Sequence, residues 1–598
     1  MNRGVPQGSV LSPFLFMIYM SDLHRILPGD ITCLIFGDDI YLIAIAETTY
    51  EVRHKMQFSL HLIQEWCKDW CLEIVPEKSA VINFSRRRSG DNFNLNIFNK
   101  PIPWTQNLRI LGLHFSSNLS FHHHFRILKQ KILKKLSALH CIATTRWGAQ
   151  SEHLLQIVNS CIRSVLDFGS HIFTSSSVTG LRTLEILYNA ALRVATGLPR
   201  WTPIPLLLKE AGVSKLASRH KWIAAKFYFR HTSLHSYSPV FHHLNLPLSS
   251  FPQGKSAPLI PYMHKWMISK NLSQNDIIKY HTPTPIPPNV VIHLDNFAFQ
   301  TKNLAPPQIR ALFKEFRYRN LTNSIVLATD GSKQLDRTSV GIYSSKGYTV
   351  SGRVPSQTSV FTAEGLAIFL ALKHCVTSYE HHTLLTDSHS ILQSLSKGTR
   401  KSPRISLLLL DQIAKSSQIA KSLSFIWVPS HTGITENEQA DQLAKQALNQ
   451  DFISHLSSPQ DLCQMFLRDE LNKEHREWKE CKYFQPFPHL DEPQGYRPLI
   501  KSRKLDVLIA RLRTKTLPTN AILHKCKLVE SPKCPNCGHI DTNEHYLLDC
   551  SFYQNARKDL YQSLSLQSPA FTDLVNLSLN SRTKIQSLLK FFQATNRF

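Results

Sequence analysis

Apolar residues recur at intervals of three and four through residues 119 to 280, as in Ile127, Leu128, Ile132, Leu133 and Leu136 and again in Leu184, Leu187, Ala191 and Val194. That spacing lines one face of a helix, so the stretch is expected to be a helical connector. Residues 1 to 118 change rhythm more often and read as turn, helix, strand, turn, strand, helix and strand. From His281 to Pro307 the chain is proline-rich (His281-Thr-Pro-Thr-Pro-Ile-Pro-Pro288, then Ala305-Pro306-Pro307), which disfavours helix and sheet ladder alike and predicts a linker or strap up to a domain boundary near 320.

Residues 321 to 450 alternate differently. They give a strand (Ser324 to Thr329), a hairpin-like pair (Ser339 to Tyr343 and Tyr348 to Arg353), a helix (Ala363 to Cys375), a strand (Thr383 to Thr386), a helix, a strand (Leu423 to Val428) and a final helix. That order predicts an α/β layered domain. Residues 455 to 598 are again helical and basic, with one short Cys/His segment. The chain thus reads as multidomain, α+β and α/β, and its 598 residues suit three to five compact units.

Composition sharpens this. Hydrophobic residues make up 42% and charged residues 19%, which excludes a mostly disordered, collagen-like or coiled-coil chain. Lys and Arg number 69 against 43 Asp and Glu, a net +26 that suits a polyanionic partner such as nucleic acid. The longest apolar run, Pro13 to Met20, is far below the roughly 18 residues of a membrane span. Pro6, Gly8 and Pro13 interrupt it and no small-residue cleavage site follows, so the protein is read as intracellular, in nucleus or cytoplasm, and not secreted. The 12 cysteines are scattered apart from one cluster with metal-ligand spacing, which agrees.

Four acids stand out in the layered domain. Asp330 follows the alternating run Ile325 to Thr329 and is expected where that strand ends; Asp387 ends Leu384-Leu385-Thr386 in the same way. Glu364 falls on the first turn of a helix, and Asp441 on a helix with an Ala440, Leu443, Ala444, Ala447 face. Carboxylates gathered at strand ends repel one another unless cations neutralise them, and hard oxygen ligands select Mg2+ or Mn2+. Two such ions would serve phosphodiester hydrolysis.

The segments around these acids are Ala328-Thr329-Asp330-Gly331-Ser332, Thr362-Ala363-Glu364, Leu385-Thr386-Asp387-Ser388, Trp427-Val428-Pro429-Ser430-His431-Thr432-Gly433-Ile434 and Asn437-Glu438-Gln439-Ala440-Asp441. In this order they resemble type I ribonuclease H. The resemblance implies a mixed five-stranded sheet with helices, in which Asp330, Glu364, Asp387 and Asp441 hold two Mg2+ (or Mn2+) ions and the RNA strand of an RNA/DNA hybrid is cut. His431 matches a histidine on a mobile loop that assists proton transfer or product release. Glu436 departs from the pattern, since glycine usually precedes the asparagine.

At the amino-terminal end, Arg3 to Pro13 is rich in turn formers and runs into an apolar helix, and Phe36-Gly37-Asp38-Asp39 sits at the tip of an apolar hairpin. Adjacent acids inside such a run are costly, which favours a metal role. These segments resemble the palm of a non-LTR (LINE-type, jockey-like) retrotransposon reverse transcriptase. By that resemblance Gln7 and Gly8 lie under the incoming nucleotide, Asp38 and Asp39 form the catalytic hairpin, Lys78 protonates pyrophosphate and Leu111-Gly112-Leu113 is the primer-grip turn. Val75 stands where asparagine is usual. The family has another metal-binding aspartate upstream of the loop in which Met1 falls. The expectation is therefore an amino-truncated palm that does not polymerise DNA by itself, with an upstream endonuclease not present here.

Cys534 and Cys537, then His545 and Cys550, have the spacing of a tetrahedral Cys3His zinc site, with Gly538 allowing the turn after the second ligand. Similar segments close many elements of this group, and Arg511-Leu512-Arg513-Thr514 resembles the motif that precedes them. Nucleic-acid contact and structural closure of the tail both remain open as its role. His122-His123-His124 reads as a solvated helix start, Cys67 and Cys71 as core packing on one helical face, and Arg86-Arg87-Arg88 as phosphate contact or a basic loop.

The domain reading is a partial palm (1–118), a helical thumb or connector (119–280), a proline-rich linker (281–320), a ribonuclease H domain (321–450) and a basic helical region with the zinc segment (455–598). RNA/DNA hybrid, RNA and DNA are the expected partners; no membrane is, and nothing in the sequence sets an oligomeric state. The competing readings are a nucleic-acid-binding retroelement remnant without catalysis, and a full polymerase, which needs the upstream aspartate.

Overall fold

The computed structural model describes residues 4–84, 93–173, 176–234, 240, 244, 259–301, 303–487, 490, 502–580 and 582–598; Arg86 to Arg88 lie outside them. Two compact units result, one of residues 1–134 with 176–184 and one of 135–175 with 185–598. Among the described residues no helix is long and apolar enough to cross a membrane.

In the first unit, Ile31–Phe36 and Asp39–Ala44 pair antiparallel from Ile31 opposite Ala44 to Phe36 opposite Asp39. Only Gly37 and Asp38 remain for the turn, and Gly37 supplies the left-handed backbone (φ +60°) such a turn demands. Helix Thr49–Asp69 begins at Thr48, whose hydroxyl accepts the Glu51 amide at 3.2 Å. Leu60, Ile63, Trp66 and Cys67 face its core at helical spacing. The helix ends before Cys71, which sits at φ +53° and is exposed, so only Cys67 of that pair packs inside. His124 is buried, not solvated, in the first turn of helix His122–Ile142, and burial lowers its pKa to about 4.

The second unit contains a six-stranded mixed sheet. Its elements are β1 (Val290–His293), α1 (Pro306–Asn320), β2 (Ser324–Gln334), β3 (Arg337–Ser344), β4 (Thr349–Val354), α2 (Val360–Cys375), β5 (His381–Thr386), α3 (His389–Lys397), α4 (Arg404–Ile419), β6 (Ser422–Trp427) and α5 (Thr435–Gln446). Strand order is β4-β3-β2-β5-β6-β1, antiparallel across β4, β3 and β2 and parallel from β2 to β1. Residue alternation sends Leu327, Leu384 and Phe425 to a core under α2 and α4, and Val326, Ala328, Leu385 and Ile426 to the opposite face. Phe299, with Ile309 and Phe313 of α1, and Ile434 and Ala440 near and on α5 cover that second face.

Two expectations change here. The sheet has six strands, because residues expected to be a linker supply β1, which pairs with Leu423 to Ile426, and α1. Proline is tolerated in both places for one reason: it donates no hydrogen bond, and neither the approach to an edge strand nor the first turn of a helix needs that donor. Asp330 lies within β2, opposite Gly341, rather than at a strand end. Parallel pairing with β5 stops at Thr329 opposite Thr386, while the antiparallel pair with β3 runs on to Gln334, so Asp330 is the first residue past the parallel ladder.

Helices build the rest of this unit. Leu216–Thr232 packs against Pro459–Lys479 and Leu259–Ser269 around Tyr228, Phe229, Met263, Met267 and Phe466. Arg503, at the start of helix Arg503–Arg513, donates to the carbonyls of Thr144, Val194 and Ala195, and Asp506 accepts from the amide and hydroxyl of Ser151.

Candidate catalytic and metal sites

Two close backbone approaches assemble the carboxylates. A Cβ on Gly331 would lie 2.8 Å from the Glu364 amide nitrogen, and one on Gly341 would lie 2.4 Å from the Ala440 carbonyl oxygen and the Ala444 nitrogen. Glycine at these positions lets α2 and α5 rest on the sheet, which brings Glu364 and Asp441 toward Asp330. Asp387, one residue beyond β5, completes the set.

The acids perturb one another. Burial raises the Asp330 pKa well above the carboxylate range, and the charges of Asp387 and Asp441 add to the rise. Burial also raises Glu364, against a hydrogen bond donated by the Ser388 hydroxyl. It raises Asp387 too, against His431 and the Asn437 amide. Asp441 is paired with Lys445 at 2.6 Å. Carboxylates pushed toward protonation by burial and mutual repulsion fit a divalent cation, whose charge would remove both penalties.

His431 sits in the left-handed region (φ +55°), exposed, on the loop after β6. Within that loop the Thr432 hydroxyl donates to the Pro429 carbonyl at 2.9 Å, and the Gly433 amide donates to Glu438 at 3.2 Å. His431, Glu438 and Asp441 each present a ligand atom within 4.8 Å of the others, close enough to hold one ion. Glu438, Ser388 and Asn437 were not among the site residues read from the sequence. The signals were present: Ser388 directly follows Asp387, and Glu438 precedes Asp441 by three residues, hence on one helical face.

The first unit places its expected residues differently. Asp38 and Asp39 are exposed at the hairpin tip, and the Tyr41 hydroxyl donates to Asp39 at 3.0 Å. Gln7 and Gly8 lie in an exposed turn and Lys78 in a one-turn 3-10 helix, and among the described residues no hydrogen bond or ion pair joins them to the two acids. Nor, among those residues, does a group of three potential metal ligands include Asp38 or Asp39. Leu111 and Gly112, both at positive φ, turn the Asn107–Ile110 strand into Leu113–Ser116.

Cys534, Cys537, His545 and Cys550 do converge, each ligand atom within 4.8 Å of the others. The Cys534 and Cys550 sulfurs are 4.0 Å apart, those of Cys550 and Cys537 3.8 Å, and Cys537 Sγ lies 3.1 Å from His545 Nε2. A tetrahedron with 2.3 Å zinc–sulfur bonds has sulfur–sulfur edges of about 3.8 Å, so the donor set fits zinc. Burial opposes ionisation of Cys534, but the Asn536 and Cys537 amides and the neighbouring thiols outweigh it and lower its pKa. Gly538 takes φ +77° after the second cysteine. Arg511 and Arg513 turn inward, Arg511 donating to the Gly197 carbonyl at 3.0 Å and Arg513 pairing with buried Glu210 at 3.1 Å.

Residues 1–115 match the family described as reverse transcriptase (RNA-dependent DNA polymerase), and residues 322–449 match RNase H. The RNA-directed DNA polymerase from mobile element jockey of Drosophila melanogaster is 24% identical over 230 residues, 38% of this chain and 25% of that protein. A probable RNA-directed DNA polymerase from transposon BS of the same species is 23% identical over 230 residues, 37% of this chain and 25% of that protein. A Pol polyprotein from type-1 retrotransposable element R1 2 of Nasonia vitripennis is 23% identical over 238 residues, 36% of this chain and 57% of that protein. The chain thus spans about a quarter of the length of the first of these relatives. Among solved structures, RNase H1 of Halobacterium salinarum is 20% identical, with a TM-score of 0.18, covering 21% of this chain and 98% of that one.

Proposed function

We infer that this chain, a relative of the non-LTR retrotransposon polymerases with a reverse transcriptase and a ribonuclease H segment, hydrolyses the RNA strand of RNA/DNA hybrids. The observation that carries this reading is the convergence of Asp330, Glu364, Asp387 and Asp441 from β2, α2, the end of β5 and α5, with burial pushing the first three toward protonation. These acids would hold two Mg2+ or Mn2+ ions. Bound there, the ions supply activation of a water and neutralisation of charge on the leaving oxygen.

The chain's own residues do the remaining work. Ser388 orients Glu364 by its hydrogen bond, and Asn437 directs its amide to Asp387. Lys445 holds Asp441 from the solvent side. His431, exposed beside Glu438 and Asp441, is placed to pass a proton to the departing oxygen or to help product leave. The net +26 supports a nucleic-acid partner, RNA, DNA or their hybrid, within the cell.

The hairpin acids Asp38 and Asp39, with Gln7, Gly8 and Lys78, make up the palm part of the reading. No third ligand gathers at the two acids among the described residues, and we assign this chain's own reaction to the ribonuclease H site. We take residues 1–118 as palm, 119–280 as connector, 321–450 as ribonuclease H and 455–598 as the zinc-bearing region. Zinc at Cys534, Cys537, His545 and Cys550 serves closure of the tail, since Arg511 and Arg513 of the preceding motif are spent on contacts inside the protein.

The test is incubation of the purified chain with a labelled RNA/DNA hybrid and Mg2+. Cleavage of the RNA strand alone is expected, and it should disappear in Asp387→Asn, because a neutral amide cannot replace an anionic ligand. Binding of the hybrid without cleavage would replace this reading with that of a non-catalytic retroelement remnant.

A further inference from the structure

The loop that carries His431 is anchored at both ends by residues outside the 322–449 match. At its start, Gln300 is 7% exposed and fully satisfied. Its amide donates to the Trp427 carbonyl at 2.9 Å and the His293 carbonyl at 3.0 Å, while its oxygen accepts the Phe297 amide at 3.0 Å. The Trp427 indole in turn donates to the Asp387 carbonyl at 3.0 Å. One buried side chain therefore ties the end of β6 to the backbone of a candidate metal ligand.

At the far end, Glu436 opens α5. Its side chain is 4% exposed and ion-paired with Arg317 of α1, whose side chain is 45% exposed. A carboxylate buried this far is strongly destabilising without a cation, so Arg317 is the group that allows Glu436 to stand there. Glu436 is also the position at which this sequence departs from the glycine usual in the resembled family. Two residues earlier, Ile434 shares a core with Ile309 and Phe313 of α1. Arg310 lies against the loop itself, its guanidinium nitrogen 3.3 Å from where a Gly433 Cβ would be.

We propose that residues 290–301 and 303–320 form a positioning element of the ribonuclease H site, with Gln300 and the Arg317–Glu436 pair fixing the loop that presents His431. The proposal rests on the ribonuclease reading above. Its logic is mechanical. A loop holding a histidine at positive φ loses that geometry when either end slackens, and small misplacements at a reacting centre lower the rate by large factors. Gln300, Arg317 and Glu436 touch no reacting atom and act through His431.

The experiment compares the full chain with Arg317→Met, Arg317→Lys and the double variant Arg317→Met/Glu436→Gln, each alone and combined with His431→Ala. The double variant removes both charges and strands neither, so it retains the fold even where Arg317→Met loses stability. Steady-state cleavage of the hybrid is measured, with amide hydrogen exchange over residues 429–435. Arg317→Met and the double variant should lower kcat roughly tenfold or more with KM within about twofold. Arg317→Lys should recover most of the loss, exchange over the loop should accelerate, and no variant should lose more once His431 is alanine. Losses that add to that of His431→Ala, or loop exchange unchanged in the double variant, would overturn the proposal. If the unaltered chain leaves the hybrid intact, the ribonuclease reading fails, and the exchange data still decide whether the loop is held by α1.

Discussion

The carboxylate cluster should make the metal-free protein less stable than a variant that lacks one of its acids. Burial first, and then Asp387 and Asp441, raise the Asp330 pKa from 3.8 to about 7. The folded state thus keeps a proton that the unfolded chain gives up, and the stability this supplies below pH 4 is lost as pH rises toward 7. A rise of this size corresponds to at most about 4 kcal/mol, and because the titration is shared within the cluster about 2 kcal/mol is assigned to Asp330 itself. Asp330→Asn removes the ionisation and keeps the shape. At pH 7.5, without Mg2+, the unfolding transition of the ribonuclease H sheet should rise by roughly 4–8 °C. The assay is calorimetry or circular dichroism at pH 5 and 7.5, with no chelator, so that any zinc stays bound. The gain should shrink at pH 5. Added Mg2+ should stabilise the unaltered chain at pH 7.5 and leave the variant unmoved, while the variant loses hybrid cleavage. An Asn variant no more stable than the parent at pH 7.5, or a gain that does not depend on pH, would refute the reasoning.

Other consequences are equally direct. Gly341→Ala pushes a methyl group into the Ala440 carbonyl and Ala444 nitrogen of α5, and should cost about 2–4 kcal/mol and most activity by moving Asp441 from Asp330; a melting curve and a cleavage assay check both. Cys550→Ser should abolish retention of one zinc per chain, measured by metal analysis after dialysis, and loosen the core around Tyr546, Leu547 and Phe592, seen as faster amide exchange there.

Much of the candidate site could be read from the sequence because each acid lies in a short motif beside an apolar run. Alternation in Ile325 to Thr329 and the run before Asp387 mark strands of one domain, and β2, β5 and β6 are all found. What local patterns cannot carry is pairing. That β2 continues through Asp330 depends on β3 folding back on it, a partner 11 residues away at Gly341. The prolines of 281–320 argue against helix and strand in the interior of an element, and they stand instead at its edges, so β1 and α1 were hidden. Burial of His124 and exposure of Cys71 likewise turn on where helices begin, end and pack, which spacing alone does not set. Arg511 and Arg513 stand out in sequence only as part of the motif before the Cys/His segment, and their carbonyl and carboxylate partners lie more than 300 residues away.

The short strand Val290–His293 bears on how this domain behaves when handled apart from its neighbours. It covers the open side of Ser422–Trp427, a strand whose side chains carry no charge and four of whose six residues are Leu, Phe, Ile and Trp. A fragment cut to start at residue 322 would leave that row of amides and carbonyls free to recruit the same strand from another molecule. Such a fragment should therefore tend toward sheet-mediated self-association at concentrations where the longer chain stays dispersed, and a fragment beginning ahead of Val290 should not.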